Sequence, residues 1–250
     1  MAISRAQLAK ELEPGLNALF GMEYGRYEGQ HSEIFDTESS DRAFEEEVML
    51  SGFGAAPTKQ EGSGVSYDDA QEAYTSRYNH ETVAAAFSIT EEAVEDNLYD
   101  RLSARYTRAL ARSMAHTKQV KAAAVLNNAF NSSFKGGDGK ELCATDHPLT
   151  NGGTFSNEPA TAADLNETSL EDALIKIAGY TDERGLIIAL RGTKLVIPRQ
   201  LQFVATRLLE SELRIATADN DINAIRQMGL LPEGYVVNDY LTDSDAFFIK

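Results

Sequence analysis

The chain has 250 residues, 42% hydrophobic and 25% charged, with 11 Phe and 10 Tyr. That is enough to bury one large core or two modest ones, and it excludes a wholly disordered polymer. Of the net charge of −16, residues 1–100 carry nearly all, with 6 basic and 21 acidic side chains against 17 and 18 in the rest; this disfavours sequence-specific DNA binding, which depends on neutralising phosphates.

The acidic excess fits either a solubility function or a surface kept from sticking to packed polyanion. The lone cysteine, Cys143, excludes an internal disulfide and any multi-cysteine metal site. No apolar run reaches the roughly 18 residues that a membrane span needs, and the N-terminal residues lack the apolar core of a secretory signal.

In chain order, the first residues predict a short polar helix stopped at Pro14-Gly15. Residues 1–43 show no core periodicity, only isolated aromatics (Phe20, Tyr24, Tyr27, Phe35), and read as an arm that rests on another surface. Residues 44–53 read as extended, the Gly/Pro-rich 54–65 as an exposed tip, and 66–89 as extended again. Tyr74, Ser76, Tyr78, His80 and Thr82 share one face at period two, with Val83, Ala85 and Phe87 on the other. Together these predict a long hairpin, which is barely stable in water by itself and needs a partner surface.

A long helix is predicted next. Thr90, or a box of Ser88 with Glu91, caps it, and no Gly or Pro follows before Phe130. Val94, Leu98, Leu102, Tyr106, Leu110 and Met114 form an apolar stripe. About 40 residues would make a rod of roughly 60 Å. Its acids (Glu91, Glu92, Glu95, Asp96, Asp100) precede its bases (Arg101, Arg105, Arg108, Arg112, Lys118, Lys121), an order that suits the helix dipole. The four arginines share a face, either a solvated one or a basic strip that meets acidic groups on another surface.

Residues 131–165 are a long loop rich in Gly turns. Thr168 or Ser169 is expected to cap a helix through about Tyr180. Residues 186–190 (LIIAL) and 194–198 (KLVIP) read as short buried strands around an Arg191-Gly192 turn. Pro198 suits the first turn of a helix to about Leu213, with Leu201, Val204, Ala205 and Leu208 inward. Residues 235–241 and 246–249 read as strands, and the irregular mixture of elements predicts an α+β fold.

Chemistry-bearing motifs are few. Cys143, Asp146 and His147 are the parts of a cysteine nucleophile, but they lie within one loop that does nothing to align them. His31, His80, His116 and His147 fall in different elements, so no metal site is expected. There is no phosphate-binding loop, and GGDGKE lacks the spaced acids of a calcium loop. Neither a catalytic nor a cofactor-binding residue is expected.

From about residue 66 onward the chain resembles the major capsid (major head) proteins of tailed bacteriophages. The likeness is carried by residues 67–100, by ARSMAHTKQVKAAAVLNNAF (111–130) with its N-x-A-F close, and by DGKELCATDHPLTNGG (138–153). SLEDALIKI, TKLVIPRQL, NDIN and YLTDSDAFFIK follow in the family order. The specificity lies in order and spacing over about three-quarters of the chain, since no single motif is strict.

The resemblance implies a capsid fold of N-terminal arm (1–43), extended two-stranded loop (44–89), peripheral domain with spine helix (90–150), axial domain (151–234) and a return strand (235–250). It implies a non-enzymatic subunit made in the host bacterial cytoplasm that self-assembles, as hexamers and pentamers, into an icosahedral head around double-stranded DNA. Expected partners are scaffold, portal and decoration proteins, with packaged DNA held non-specifically and no membrane or cofactor. Arg101, Arg105, Arg108 and Arg112 are the candidate inter-subunit or lumen-facing strip; Pro57, Lys59 and Glu61 are the candidate tip contacts. Family members commonly continue past the equivalent of residues 246–250, so the chain is expected to be shorter than many of them. The alternatives are an encapsulin-like nanocompartment shell and a cysteine hydrolase using Cys143 and His147.

Overall fold

A computed structural model describes residues 5–27, 29–88, 99–214 and 221–250. The chain divides into two compact units, one of residues 1–37 with 81–122 and the other of 38–80 with 123–250.

In the first unit, helix α1 (Arg5–Tyr24) runs through Pro14-Gly15, where a stop was expected. A proline inside a helix removes one hydrogen bond and costs about 3 kcal/mol. The good helix formers on both sides, and the Phe20–Tyr24 stack at 5.9 Å across the last turn, outweigh it. A 3₁₀ turn (Gln30–Glu33) follows.

Helix α2 (Tyr99–Asn127) supplies the rest of this unit, its last five residues belonging to the second. Its 29 residues make about 43 Å. The expected cap and the stripe positions Val94 and Leu98 lie outside the described residues, as does the side chain of Leu102.

The buried stripe is not the expected one. It consists of Ser103, Thr107, Ala111, Ala115 and Gln119, while Leu110 and Met114 are half-buried at its flank and Tyr106 is exposed. Small side chains let the packed segment approach the helix closely. Gln119 fixes that segment, accepting from the His31 backbone N–H at 3.1 Å while its amide lies 3.0 Å from His31 Nδ1. Phe87 packs on Tyr106 at 5.9 Å, and Lys121 pairs with Glu81.

The second unit holds the hairpin. Strand β1 (Phe44–Leu50) pairs antiparallel with β2 (Glu72–Asn79), Glu46 facing Arg77, with a bulge between Val48 and Leu50. Arg77 bonds Glu46 at 2.5 Å and lies over the Phe44 ring at 4.4 Å. The expected extension to residue 89 is shorter. His80, Thr82, Val83, Ala85 and Phe87 lie beyond the strand, and Tyr78 is exposed where Tyr74 and Ser76 are half-buried. Residues 131–165 form the expected long loop, pinned by a two-residue ladder of β3 (His147–Pro148) and β4 (Thr154–Phe155).

The body of this unit is a mixed three-stranded sheet. Central β5 (Leu195–Ile197) runs parallel to β6 (Tyr235–Val237) and antiparallel to β7 (Phe248–Ile249). Helix α3 (Glu167–Ala178) begins at a capping box of Asn166 with Ser169, so Asn166 and not Thr168 or Ser169 is the cap. A 3₁₀ turn (Arg199–Leu201) precedes α4 (Gln202–Glu210), which ends before the expected Leu213. Buried Asn223 caps α5 (Ala224–Met228) and donates to the Leu208 and Ser211 carbonyls at 2.7 and 3.1 Å, tying α5 to the end of α4. The core joins Leu165, Leu170, Leu195, Ile197, Ala205, Leu208, Ile225 and Leu231, with Leu201 and Val204 packed beside it.

Residues 186–190 are not a buried strand. Ile187 makes one bridge to Thr181 and is 72% exposed. The neighbours of β5 are β6 and β7, not the apolar run just before it in sequence. Residues 240–248 instead lie along 127–130. Asn127 bonds the Tyr240 carbonyl at 3.0 Å and the Thr242 N–H at 2.9 Å, and Phe130 stacks on Phe248 at 5.9 Å.

Leu170 is fully buried in the core. Leu170→Ala is expected to lower stability by about 2–5 kcal/mol, checked by urea unfolding of the unassembled subunit.

Candidate assembly interface

The hairpin has no core of its own, so what matters is how it is held to the body. The holding element is the turn after α3. Asp182 Oδ1 accepts the N–H groups of Arg184 and Leu186 at 2.9 and 2.8 Å, and Gly185 adopts φ +82°. This local hydrogen bonding shapes a tight turn, as Asp and Gly favour. Glu183 then accepts the Thr150 N–H at 2.7 Å and its hydroxyl at 3.1 Å, which fixes the 149–153 loop beside it.

Arg184, presented by that turn, donates to Asp68 Oδ1 at 2.6 Å. The other Asp68 oxygen accepts the Gly54 N–H at 2.7 Å. One carboxylate thus joins both arms of the hairpin to the body. The Gly54 N–H, and then the Arg184 guanidinium, hold the Asp68 carboxyl below the usual carboxylate range. Ser51 and Gln71 close a second rung, Ser51 N–H to the Gln71 carbonyl at 2.8 Å and Gln71 N–H to the Ser51 hydroxyl at 2.9 Å.

Gly137 provides the third attachment. A Cβ there would lie 2.2 Å from Ser76 Oγ and 3.2 Å from the Ser76 Cα, so β2 approaches this loop as only glycine allows. The loop is braced by Asp138 and His147, whose Oδ2 and Nδ1 are 2.6 Å apart. Burial works against the Asp138 charge, but the bonds from His147 and from the Lys140 N–H hold its carboxyl below the usual range.

Beyond these ties the hairpin is open to solvent. Leu50, Phe53, Val65 and Tyr67 are 65, 60, 71 and 95% exposed. Pro57, Lys59 and Glu61 lie at the exposed tip, next to a turn at Gly62 with φ +81°. Scattered exposed apolar residues are ordinary, but here four large ones stand exposed within one coreless segment.

Of the arginine strip, Arg105, Arg108 and Arg112 are exposed on α2, and the side chain of Arg101 lies outside the described residues. Sequence reasoning missed Asp68, Arg184 and Gly137. Only the turn composition of residues 182–185 hinted at the first tie, since its partner is 116 positions away.

The Cys143, Asp146 and His147 set is not brought together as a nucleophile. Burial, and then Glu158, push the Cys143 thiol up to about 11; Asp146 pairs with Lys140; and His147 Nδ1 is engaged by Asp138. No group of three or more His, Cys, Asp or Glu among the described residues is placed to hold a metal ion. No described helix is long and apolar enough to cross a membrane.

The described residues thus combine an α+β body that holds an exposed hairpin with, mostly in the other unit, a long helix. The family model described as phage capsid protein matches residues 72–250, and the chain belongs to that family: it is a capsid shell subunit. It is similar to the procapsid protein of bacteriophage JBD30, with 16% identity, covering 96% of this chain and 100% of that one, at a TM-score of 0.62. It is also similar to the JBD30 capsid protein (13% identity, 81% of this chain, 88% of that one, TM-score 0.59). A third similar structure is the JBD30 capsid decorated with minor capsid protein trimers (13%, 86%, 95%, 0.58). At these identities the likeness is one of fold. A search of curated proteins returns no match.

Two outcomes follow. Because the folded state lowers the Asp68 pKa, the tie contributes at pH above the ordinary carboxylate value near 4 and is lost as pH falls through the lower folded value. Protection of the Gly54 amide from hydrogen exchange is expected to vanish in Asp68→Ala, to fall in Arg184→Ala, and in the wild type to fall on acidification below about pH 4. Cys143, with its raised pKa, is expected to react with iodoacetamide at about pH 8 roughly 100-fold or more slowly than a free cysteine, and Cys143→Ala is expected to assemble normally.

Proposed function

We propose that this subunit builds an icosahedral phage head around double-stranded DNA by laying its hairpin and N-terminal arm on neighbouring copies. The observation that carries the proposal is the hairpin itself: Leu50, Phe53, Val65 and Tyr67 are exposed, although Asp68 and Ser76 hold the second arm to the body. Covering those residues on a neighbour stabilises the contact by roughly 25 cal/mol for each Å² of apolar surface removed from water. Many such modest contacts closed by symmetry make a shell far stronger than any one of them.

In this reading residues 1–43 are the arm, 44–89 the extended loop, 90–150 the peripheral domain, 151–234 the axial domain and 235–250 the return strand. Pro57, Lys59 and Glu61 touch the neighbour at the tip. The strip of Arg101, Arg105, Arg108 and Arg112 faces another subunit or the lumen. The subunit is made in the host cytoplasm, performs no catalysis, and works with scaffold, portal and decoration proteins. Decoration is supported by the similar JBD30 capsid, which carries minor capsid protein trimers. The acidity of the chain, −16 overall, suits a wall that contains DNA without gripping it.

Deleting residues 54–65, or residues 1–30, is expected to leave a soluble folded subunit that forms no closed shells. Electron microscopy of the expressed protein checks this, and particles of normal diameter and yield from either deletion overturn the proposal.

A further inference from the structure

The segment that carries the 3₁₀ turn has little apolar anchorage in the first unit. Of residues 29–37, Ile34 alone is buried; Gly29, Gln30, His31 and Phe35 are half-buried and the rest are exposed. The turn has no side-chain cap. On α2 the buried stripe is small and polar, and the Thr107 hydroxyl in it is buried without a hydrogen-bond partner, which costs stability. One buried isoleucine is a modest anchor for nine residues. The specific hold comes from Gln119, which is itself 7% exposed.

Gln119 grips His31 with both ends of its amide. Oε1 accepts the His31 backbone N–H at 3.1 Å, and Nε2 lies 3.0 Å from Nδ1 of the ring. An amide nitrogen only donates, so Nδ1 accepts, and the imidazole that satisfies both bonds is neutral with its proton on its own Nε2. A cationic ring carries hydrogen on both nitrogens, and N–H then meets N–H. Turning the amide over moves the fault without removing it: Oε1 would accept from the ring, and the amide nitrogen would face the backbone N–H. One of the two bonds fails in either orientation. The ring takes this pose by folding back against Gly29, where a Cβ would stand 2.7 Å from the ring Cε1 and 3.0 Å from Nδ1.

We infer that the His31–Gln119 contact is a proton-operated latch, which closes residues 29–35 onto α2 while His31 is neutral and loosens them when it is protonated. The other charged and titratable groups on the elements around the contact are Glu33 and Asp36 on the segment itself, His116, Lys118 and Lys121 on the adjoining turns of α2, Glu81 paired with Lys121, and Glu23 of α1 paired with Arg26. His116 is the second imidazole among them and serves as the control. The latch fixes the point at which the N-terminal residues meet the helix. That the residues before it lie on neighbouring copies rests on the reading above; the latch does not.

Hydrogen exchange of the full, unassembled chain tests it, with each amide rate divided by that of an unstructured peptide at the same pH, so that the intrinsic effect of pH cancels. The amides to follow are His31, bonded to Gln119, and Phe35, bonded to the His31 carbonyl at 2.8 Å. From about pH 8 to about pH 5.5, across the imidazole range, their protection is expected to fall roughly threefold to tenfold, the worth of one hydrogen bond. His31→Asn, whose Oδ1 accepts at every pH, is expected to keep its protection. So is Gln119→Glu, whose carboxylate accepts from the backbone and from a protonated ring alike. His116→Gln is expected to lose protection as the wild type does. Flat protection in the wild type, an equal fall in His31→Asn, or disappearance of the fall in His116→Gln overturns the inference. If Gln119→Glu unfolds the chain by circular dichroism, the wild type and His31→Asn still decide. The deletion of residues 1–30 separates the two claims. Normal shells from it overturn the arm reading and leave the latch standing, whereas flat protection overturns the latch and leaves the arm reading.

Discussion

Asp68 carries a disproportionate share of the geometry that positions the hairpin. A two-stranded hairpin in water loses more chain entropy than its ladder and its few cross-strand pairs return. This one adds a single ion pair and a cation–π contact, Arg77 with Glu46 and Phe44. Its direction is therefore set from outside. One carboxylate gathers the N–H of Gly54 from one arm and the guanidinium of Arg184 from the body, while Gly137 lets β2 settle against a loop a few ångströms away. Residues 55–67, between the two residues that Asp68 brings together, are the part of the hairpin that these ties leave exposed.

The same separation runs through the rest of the chain. The energy that folds the second unit comes from a conventional source: β5, buried on all three residues, packs among leucines and isoleucines of α3, α4 and α5. Nothing in that core depends on the hairpin. In the first unit, α2 turns its serine, threonine and alanine stripe inward and leaves its arginines in water. A helix that packed through large leucines would hold its neighbour further off. Small residues let residues 29–34 lie close enough for Gln119 to bond His31 twice, at the backbone and at the ring.

What the sequence revealed follows from which forces are local. Freedom from Gly and Pro announced α2, the Gly/Pro-rich segment announced the hairpin tip, and a short β-branched run ending in Pro198 announced β5. The stripe on α2 was misread because periodicity favours large apolar residues, whereas close packing selected Ser103, Thr107 and Ala111. Residues 186–190 were misread for a related reason: an apolar run has the same composition whether or not a sheet takes it up, and here β5 pairs with the distant β6 and β7 instead. Pro14 was overruled by its neighbours. The tie of Asp68 to Arg184 spans 116 positions, and no local rule reports it. Family resemblance supplied the capsid reading, while the attachments that position the hairpin became visible only in three dimensions.

Weak contacts are an advantage in a closed shell. If each hairpin were fixed to its neighbour by a large apolar interface, a misplaced subunit would leave slowly and errors would be trapped, because affinity differences act mostly through dissociation. Exposed ion pairs are each worth under about 1 kcal/mol, so a contact that uses them stays reversible. The acidic excess lies mostly in residues 1–100, so copies that meet through that part repel one another unless bases face it. On this account the uneven charge of the chain does more than keep it soluble: it restricts how copies can associate before the hydrophobic contacts form.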